Sequence, residues 1–144
     1  MKRVLRWSKT IDREHLDLRY KVLRVGLPKG SEYYPGVDDD EQTRYLCVYI
    51  DKKIVGCVTL QLDIKNGCEY RIRGMAVESE FRNMGIGSDI VKNLQNEVSK
   101  ENAGIWCNAR IKAVPMYERC GFKIVSDIFE IEGIGFHYDM EWRP

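Results

Sequence analysis

Arg82-Asn83-Met84-Gly85-Ile86-Gly87 sets an arginine and two glycines directly ahead of an apolar run in which Ile86, Ile90, Val91, Leu94 and Val98 recur at helical spacing. The residues before it, 70–77, read as a strand. Strand, glycine-rich turn and helix together make an anion site. The first N–H groups of a helix lack an intrahelical acceptor, the helix dipole is positive there, and glycine lets an anion approach the main chain. The expected anion is a phosphate. Two nucleotide motifs do not fit. A P-loop closes its turn with Gly-Lys-Ser/Thr, whereas Gly87 is followed by Ser88 with no lysine. A dinucleotide fingerprint needs a third glycine where this chain has Ile90.

Other side chains able to do chemistry are scattered. Tyr117 lies one helical turn before Gly121-Phe122, and taken alone it reads as a packing aromatic. Asn108 has the type of a turn cap. Glu69, Glu130, Glu132 and His137 are the groups able to accept a proton, with a water chain as the remaining candidate. His15 reads as structural, and Trp7, Trp106 and Trp142 as core or hairpin aromatics. The acidic run Asp38-Asp39-Asp40-Glu41 lacks the spacing and turn glycine of a calcium loop, so it reads as a solvated loop. Five cysteines form no CxxC pair and read as reduced core residues, with no metal site expected.

The elements that must position these groups follow from periodicity. Residues 4–7 suit a short strand. Thr10 is a candidate N-cap for a helix whose stripe is Leu16, Tyr20, Leu23 and Leu27, stopped by Pro28 and Gly30. Residues 45–50 and 54–62 read as a hairpin, and a turn at Lys65-Asn66-Gly67 leads to the strand ending at Val77. Gly74 inside that strand suggests a bulge or a close approach to the backbone. Residues 104–109 form another strand, Pro115 opens a short helix, and residues 122–131 and 136–142 close the chain as a hairpin. The expected fold is α/β: a mixed, mostly antiparallel central sheet flanked by helices, in one domain over residues 1–144. A hydrophobic fraction of 44%, a charged fraction of 31% and a net charge of +1 suit a globular protein and call for neither nucleic acid nor membrane. The basic start has no apolar segment behind it, so no secretory signal is read and a cytoplasmic setting is expected.

At these residues the chain resembles the GNAT superfamily of acyl-CoA-dependent N-acetyltransferases. "MAVESEFRNMGIG" is similar to that family's acyl-CoA segment, and Asn108, Ala113, Tyr117 and Gly121-Phe122 resemble its downstream N-x4-A-x3-Y-x3-GF block. The closing "FEIEGIGFHYDM" and the early "LRYKVLR" resemble a branch of small bacterial acetyltransferases. Three positions depart from the pattern: Asn83-Met84 where Gly-Lys or Gly-Arg is usual, Met116 for an aromatic, and Gly135 for proline. The resemblance implies acetyl-CoA, or coenzyme A, held by Arg82, Asn83, Met84, Gly85, Ile86, Gly87 and Ser88 through backbone N–H groups around the pyrophosphate. It implies main-chain pairing of the pantetheine arm along Met75, Ala76 and Val77, with Asn108 and Tyr117 also at the cofactor. The Met75 N–H would steady the oxyanion and Tyr117 would protonate the leaving thiolate. The strand glutamate of some relatives is Arg71 here; Glu69, two residues earlier, joins the catalytic set as a base candidate. The acceptor would be a primary amine of a small molecule or peptide, and the protein a monomer or homodimer. A non-catalytic acyl-CoA sensor is the alternative, separated from the enzyme by thiol release against an amine panel.

Overall fold

The computed structural model describes residues 2–144. The chain divides into two compact units, one of residues 1–61 and 73–90, the other of 62–72 and 91–144.

The first unit begins with β1 (Arg3–Ser8), which pairs antiparallel with β2 (Arg44–Ile50); β2 pairs in turn with β3 (Lys53–Lys65). The hairpin turn takes Asp51 and Lys52 into the left-handed region. The first half of β3 is buried on both faces, which explains its unbroken apolar sequence; from Gln61 to Lys65 burial alternates. α1 (Arg13–Arg19) is capped by Asp12, whose Oδ1 accepts from the His15 N–H at 2.9 Å. Thr10, the expected cap, is instead held in a turn by the Ser8 hydroxyl, which donates to the Thr10 carbonyl at 2.8 Å. The helix does not run on uniformly to Leu27. It widens into a π-helical segment, Tyr20–Arg24, where Val22 and Leu23 pack on a core of Leu18, Cys47, Ile54, Cys57 and Ala76.

The second unit is built around β5 (Ile105–Arg110). β4 (Cys68–Val77) starts in this unit and lies parallel to β5 at Tyr70, Arg71 and Ile72. β8 (Gly135–Trp142) runs antiparallel on the other side of β5. α2 (Ile86–Ser99) supplies the buried Val91, Leu94 and Val98, and α3 (Val114–Arg119) carries Pro115 in its first turn. The segment expected as one strand over residues 122–131 is two: β6 (Lys123–Ile124) and β7 (Phe129–Ile131), both paired with β8. The break has a local cause. The Ser126 hydroxyl takes the Asp139 N–H at 2.9 Å, removing that donor from the ladder. Along the sheet, hydrogen-bonded neighbours follow the order β1-β2-β3-β4-β5-β8-β6, with β7 on β8. Trp7 is not a core residue: it is 37% exposed on β1.

Candidate active site

The glycine-rich stretch lies in the first unit. After β4 ends at Val77, a 3-10 turn, Ser79–Phe81, leads to an extended Arg82, then Asn83 at φ 62° and Gly85 at φ 79°. Asparagine tolerates the left-handed region, so Asn83 can occupy a position usually held by glycine. The Asp89 N–H donates to the Gly85 carbonyl at 3.0 Å and opens the α2 ladder. The N–H groups of Ile86, Gly87 and Ser88 come before that bond, at the positive end of the helix. Arg82, Asn83, Met84 and Gly85 are exposed, while the Ile86 side chain is buried beneath them.

Two residues not singled out in the sequence fix this loop. A Cβ on Gly56 of β3 would stand 3.0 Å from Ile86 Cγ2 and 3.3 Å from Ile90 Cδ1, so the glycine lets α2 lie close on the sheet at its first turn. Arg3 of β1 binds the Asp89 carboxylate with Nη1 and donates to the Met84 carbonyl with Nη2. Asp89 sits in the first turn of α2, where its charge would oppose an incoming anion; Arg3 neutralises it. Arg3 and Asp89 lie too far apart in the chain for spacing to reveal the pair.

The remaining expected site residues lie in the second unit or along β4. Ala76 is buried in the first unit's core, with Met75 and Val77 half-buried beside it. Tyr117, on α3, is 4% exposed, with Phe122 tilted against its ring at 5.2 Å. Burial, and then the neighbouring Cys107 thiol with which it shares a hydrogen bond, holds its phenol well above the ordinary range. Asn108 is used at both ends: Arg71 donates to its Oδ1 and its Nδ2 donates to Asp139. Glu69 accepts the Gly104 N–H at 3.0 Å through Oε1. Glu130 and Glu132 are exposed, whereas His137 is buried with Nδ1 2.8 Å from the Gly135 carbonyl. Among the described residues no group of His, Cys, Asp and Glu is placed to hold a metal.

Family comparison agrees with this fold. The family described as "Acetyltransferase (GNAT) domain" matches residues 31–144. The chain belongs to the GNAT acetyltransferases. The uncharacterised N-acetyltransferase YitI of Bacillus subtilis (strain 168) is 28% identical over 129 residues, covering 86% of each chain. Among solved structures, an N-acetyltransferase candidate from Lactobacillus plantarum superposes with a TM-score of 0.81 at 16% identity, over 98% of this chain and 97% of that one. An aminoglycoside 6'-N-acetyltransferase complexed with coenzyme A gives 0.70 at 15% identity, over 97% and 96%.

In this acetyltransferase Gly74 of β4 marks a close approach of side chains to the strand within the first unit; the register shift between neighbouring strands falls instead at Val48/Tyr49, between β2 and β3. Gly74 takes φ 54°, and a Cβ there would stand 3.0 Å from Arg19 Nε, 3.1 Å from the Tyr34 ring and 3.2 Å from its hydroxyl. Glycine is required there both by conformation and by space. Arg19 is wholly buried. Its Nη1 donates to Asp38 at 2.7 Å and to the Glu32 carbonyl at 2.6 Å, and its Nη2 donates to Thr59 Oγ1 at 2.7 Å. Asp38 is therefore not part of a solvated acidic loop; its side chain is fully buried as the counter-ion of Arg19 and also accepts from the Tyr45 hydroxyl at 3.0 Å. Removing one member of such a pair costs about 3–5 kcal/mol.

Proposed function

We propose that this acetyltransferase moves the acetyl group of acetyl-CoA to a primary amine of a small molecule or peptide. The amine nitrogen bonds to the thioester carbon, the carbon–sulfur bond breaks, and no covalent enzyme intermediate is needed. The observation that carries the reading is the loop at residues 82–88, where the N–H groups of Ile86, Gly87 and Ser88 precede the α2 ladder and Arg3 neutralises Asp89. A pyrophosphate is the kind of anion such groups receive. A coenzyme A complex of the aminoglycoside enzyme with the same fold supports the choice.

In this proposal the Met75 N–H meets the developing oxyanion, Val77 pairs with the pantetheine arm, and Tyr117 gives its proton to the leaving thiolate. Water takes the proton from the amine. Glu69 is the less favoured base because one of its oxygens already holds the Gly104 N–H. A single functional domain over residues 1–144 and a cytoplasmic setting belong to the same proposal. Gly87→Asp places a side chain and a negative charge at the phosphate site. Calorimetry is expected to show coenzyme A binding at least tenfold weaker, about 1.4 kcal/mol, with the fold intact; unchanged affinity would falsify the phosphate assignment. Thiol release across an amine panel separates the enzyme from a non-catalytic coenzyme A sensor, which binds and releases nothing.

A further inference from the structure

We propose that the acceptor is an amine that itself carries an anionic group, a carboxylate or a phosphate, and that Arg24 beside Tyr34 receives that group; this rests on the acetyl-transfer reading. Three guanidinium groups surround one aromatic ring. From the centroid of Tyr34, Arg19 lies 3.9 Å away, Arg73 5.0 Å and Arg24 5.3 Å. At such separations, no more than about 10 Å, like charges repel by on the order of 1–2 kcal/mol per pair at an effective dielectric near 20. Cation–π attraction offsets part of this. Asp38 neutralises Arg19, and Arg73 donates to Gln61 at 3.3 Å. Arg24 has no carboxylate partner among the described residues, and its buried Nε meets no acceptor. Arg19 Nε, on a side chain with no exposure, is likewise unpartnered. Buried donors left without acceptors are costly, and an anion arriving at the half-buried Arg24 would relieve that cost there, whereas Arg19, with no exposure, lies out of its reach.

The position of the cluster gives it a role. Arg19 Nε and the Tyr34 hydroxyl stand directly against Gly74, one residue before the Met75 N–H assigned above to the thioester carbonyl. Arg24 reaches this position through the Tyr34 ring, 5.3 Å from its guanidinium, so an anion held by Arg24 would be separated from the reacting nitrogen by about that ring. The acceptor class is therefore a small amine with its anion a few bonds from the nitrogen. Asp38, the first residue of the acidic run at 38–41, is consumed by Arg19 and is not available to a cationic amine.

The test is steady-state acetylation of matched pairs: an amino acid against its amide, and phosphoethanolamine against ethanolamine. The anionic member of at least one pair is expected to have a KM at least tenfold lower, and the pair that shows it tells carboxylate from phosphate. Arg24→Gln, at a half-buried position, should raise the KM of the anionic member at least tenfold more than that of the neutral one, with kcat nearly kept and Arg24→Lys partly restoring it. Equal KM values within both pairs, or no effect of Arg24→Gln, overturn the proposal. If coenzyme A binds but no amine is acetylated, the acetyl-transfer reading fails instead. The anion site is then read from the arginine Nε–H NMR signals on titration with acetate and inorganic phosphate. Saturable shifts that disappear in Arg24→Gln support the site, and flat signals reject it.

Discussion

Tyr117 raises the question of what a fully buried phenol is able to donate. Its raised pKa, from burial first and Cys107 second, keeps the hydroxyl protonated throughout the neutral range. It therefore holds a proton whenever a thiolate needs one. No basic limb of the pH–rate profile below about pH 10 should arise from its own ionisation. Tyr117→Phe retains the ring against Phe122 and removes only the hydroxyl. Steady-state kinetics should show kcat lower by about 10²–10⁴-fold, and calorimetry nearly unchanged acetyl-CoA affinity. Wild-type kcat in the variant would take Tyr117 out of the mechanism. Loss of the hydrogen bond to Cys107 should cost only about 1 kcal/mol of stability, read separately by denaturant unfolding.

At the scale of elements, the placement of α2 against β3 governs the cofactor loop. Gly56→Val would push a branched side chain into Ile86 and Ile90, whose atoms lie 3.0 and 3.3 Å from the position of its Cβ. Overpacking of this kind costs about 1–3 kcal/mol. The first turn of α2 should shift outward, and coenzyme A affinity should fall together with the denaturation midpoint. An unchanged affinity at reduced stability would show that the loop is set elsewhere. Elements whose signal is local were legible in the sequence: α2 from its apolar period, the β2–β3 hairpin from its turn, α3 from Pro115. What was not legible depends on partners distant in the chain. The burial of Asp38 depends on Arg19, and the break within residues 122–131 on the Ser126 hydroxyl taking the Asp139 N–H; neither pairing has a spacing that the sequence displays. The same applies to the site. The glycine-rich loop was visible as a motif, whereas Arg3 and Gly56, which hold it, carry no motif at all. The choice of Asp12 over Thr10 as cap was a contest between two good candidates, decided by the hydroxyl of Ser8.

For the whole molecule, one buried histidine links folding to pH. His15 is 1% exposed, beside the Cys47 thiol at 3.3 Å; burial, and next the charge of Arg19, lowers its pKa from 6.5 to about 4. The folded state thus resists protonation where the unfolded chain accepts it. This contribution is complete above the unfolded value of 6.5 and is lost as pH falls toward 4. Unfolding free energy should drop by about 2 kcal/mol between pH 7.5 and pH 5, a window above most carboxylate titrations. His15→Gln should flatten that slope, and an unaltered slope would place the effect in other groups. The cysteines have a practical consequence as well. None forms a disulfide, four are buried and only Cys120 is half-buried; burial raises the Cys47 and Cys107 thiols to about 12 and that of Cys57 further. A disulfide dye that counts released coenzyme A should therefore meet a nearly silent protein, with at most one rapid equivalent per chain. All five should appear in denaturant. The reagent that follows turnover thus also grades each preparation, since any cuvette whose blank exceeds one equivalent contains unfolded chains.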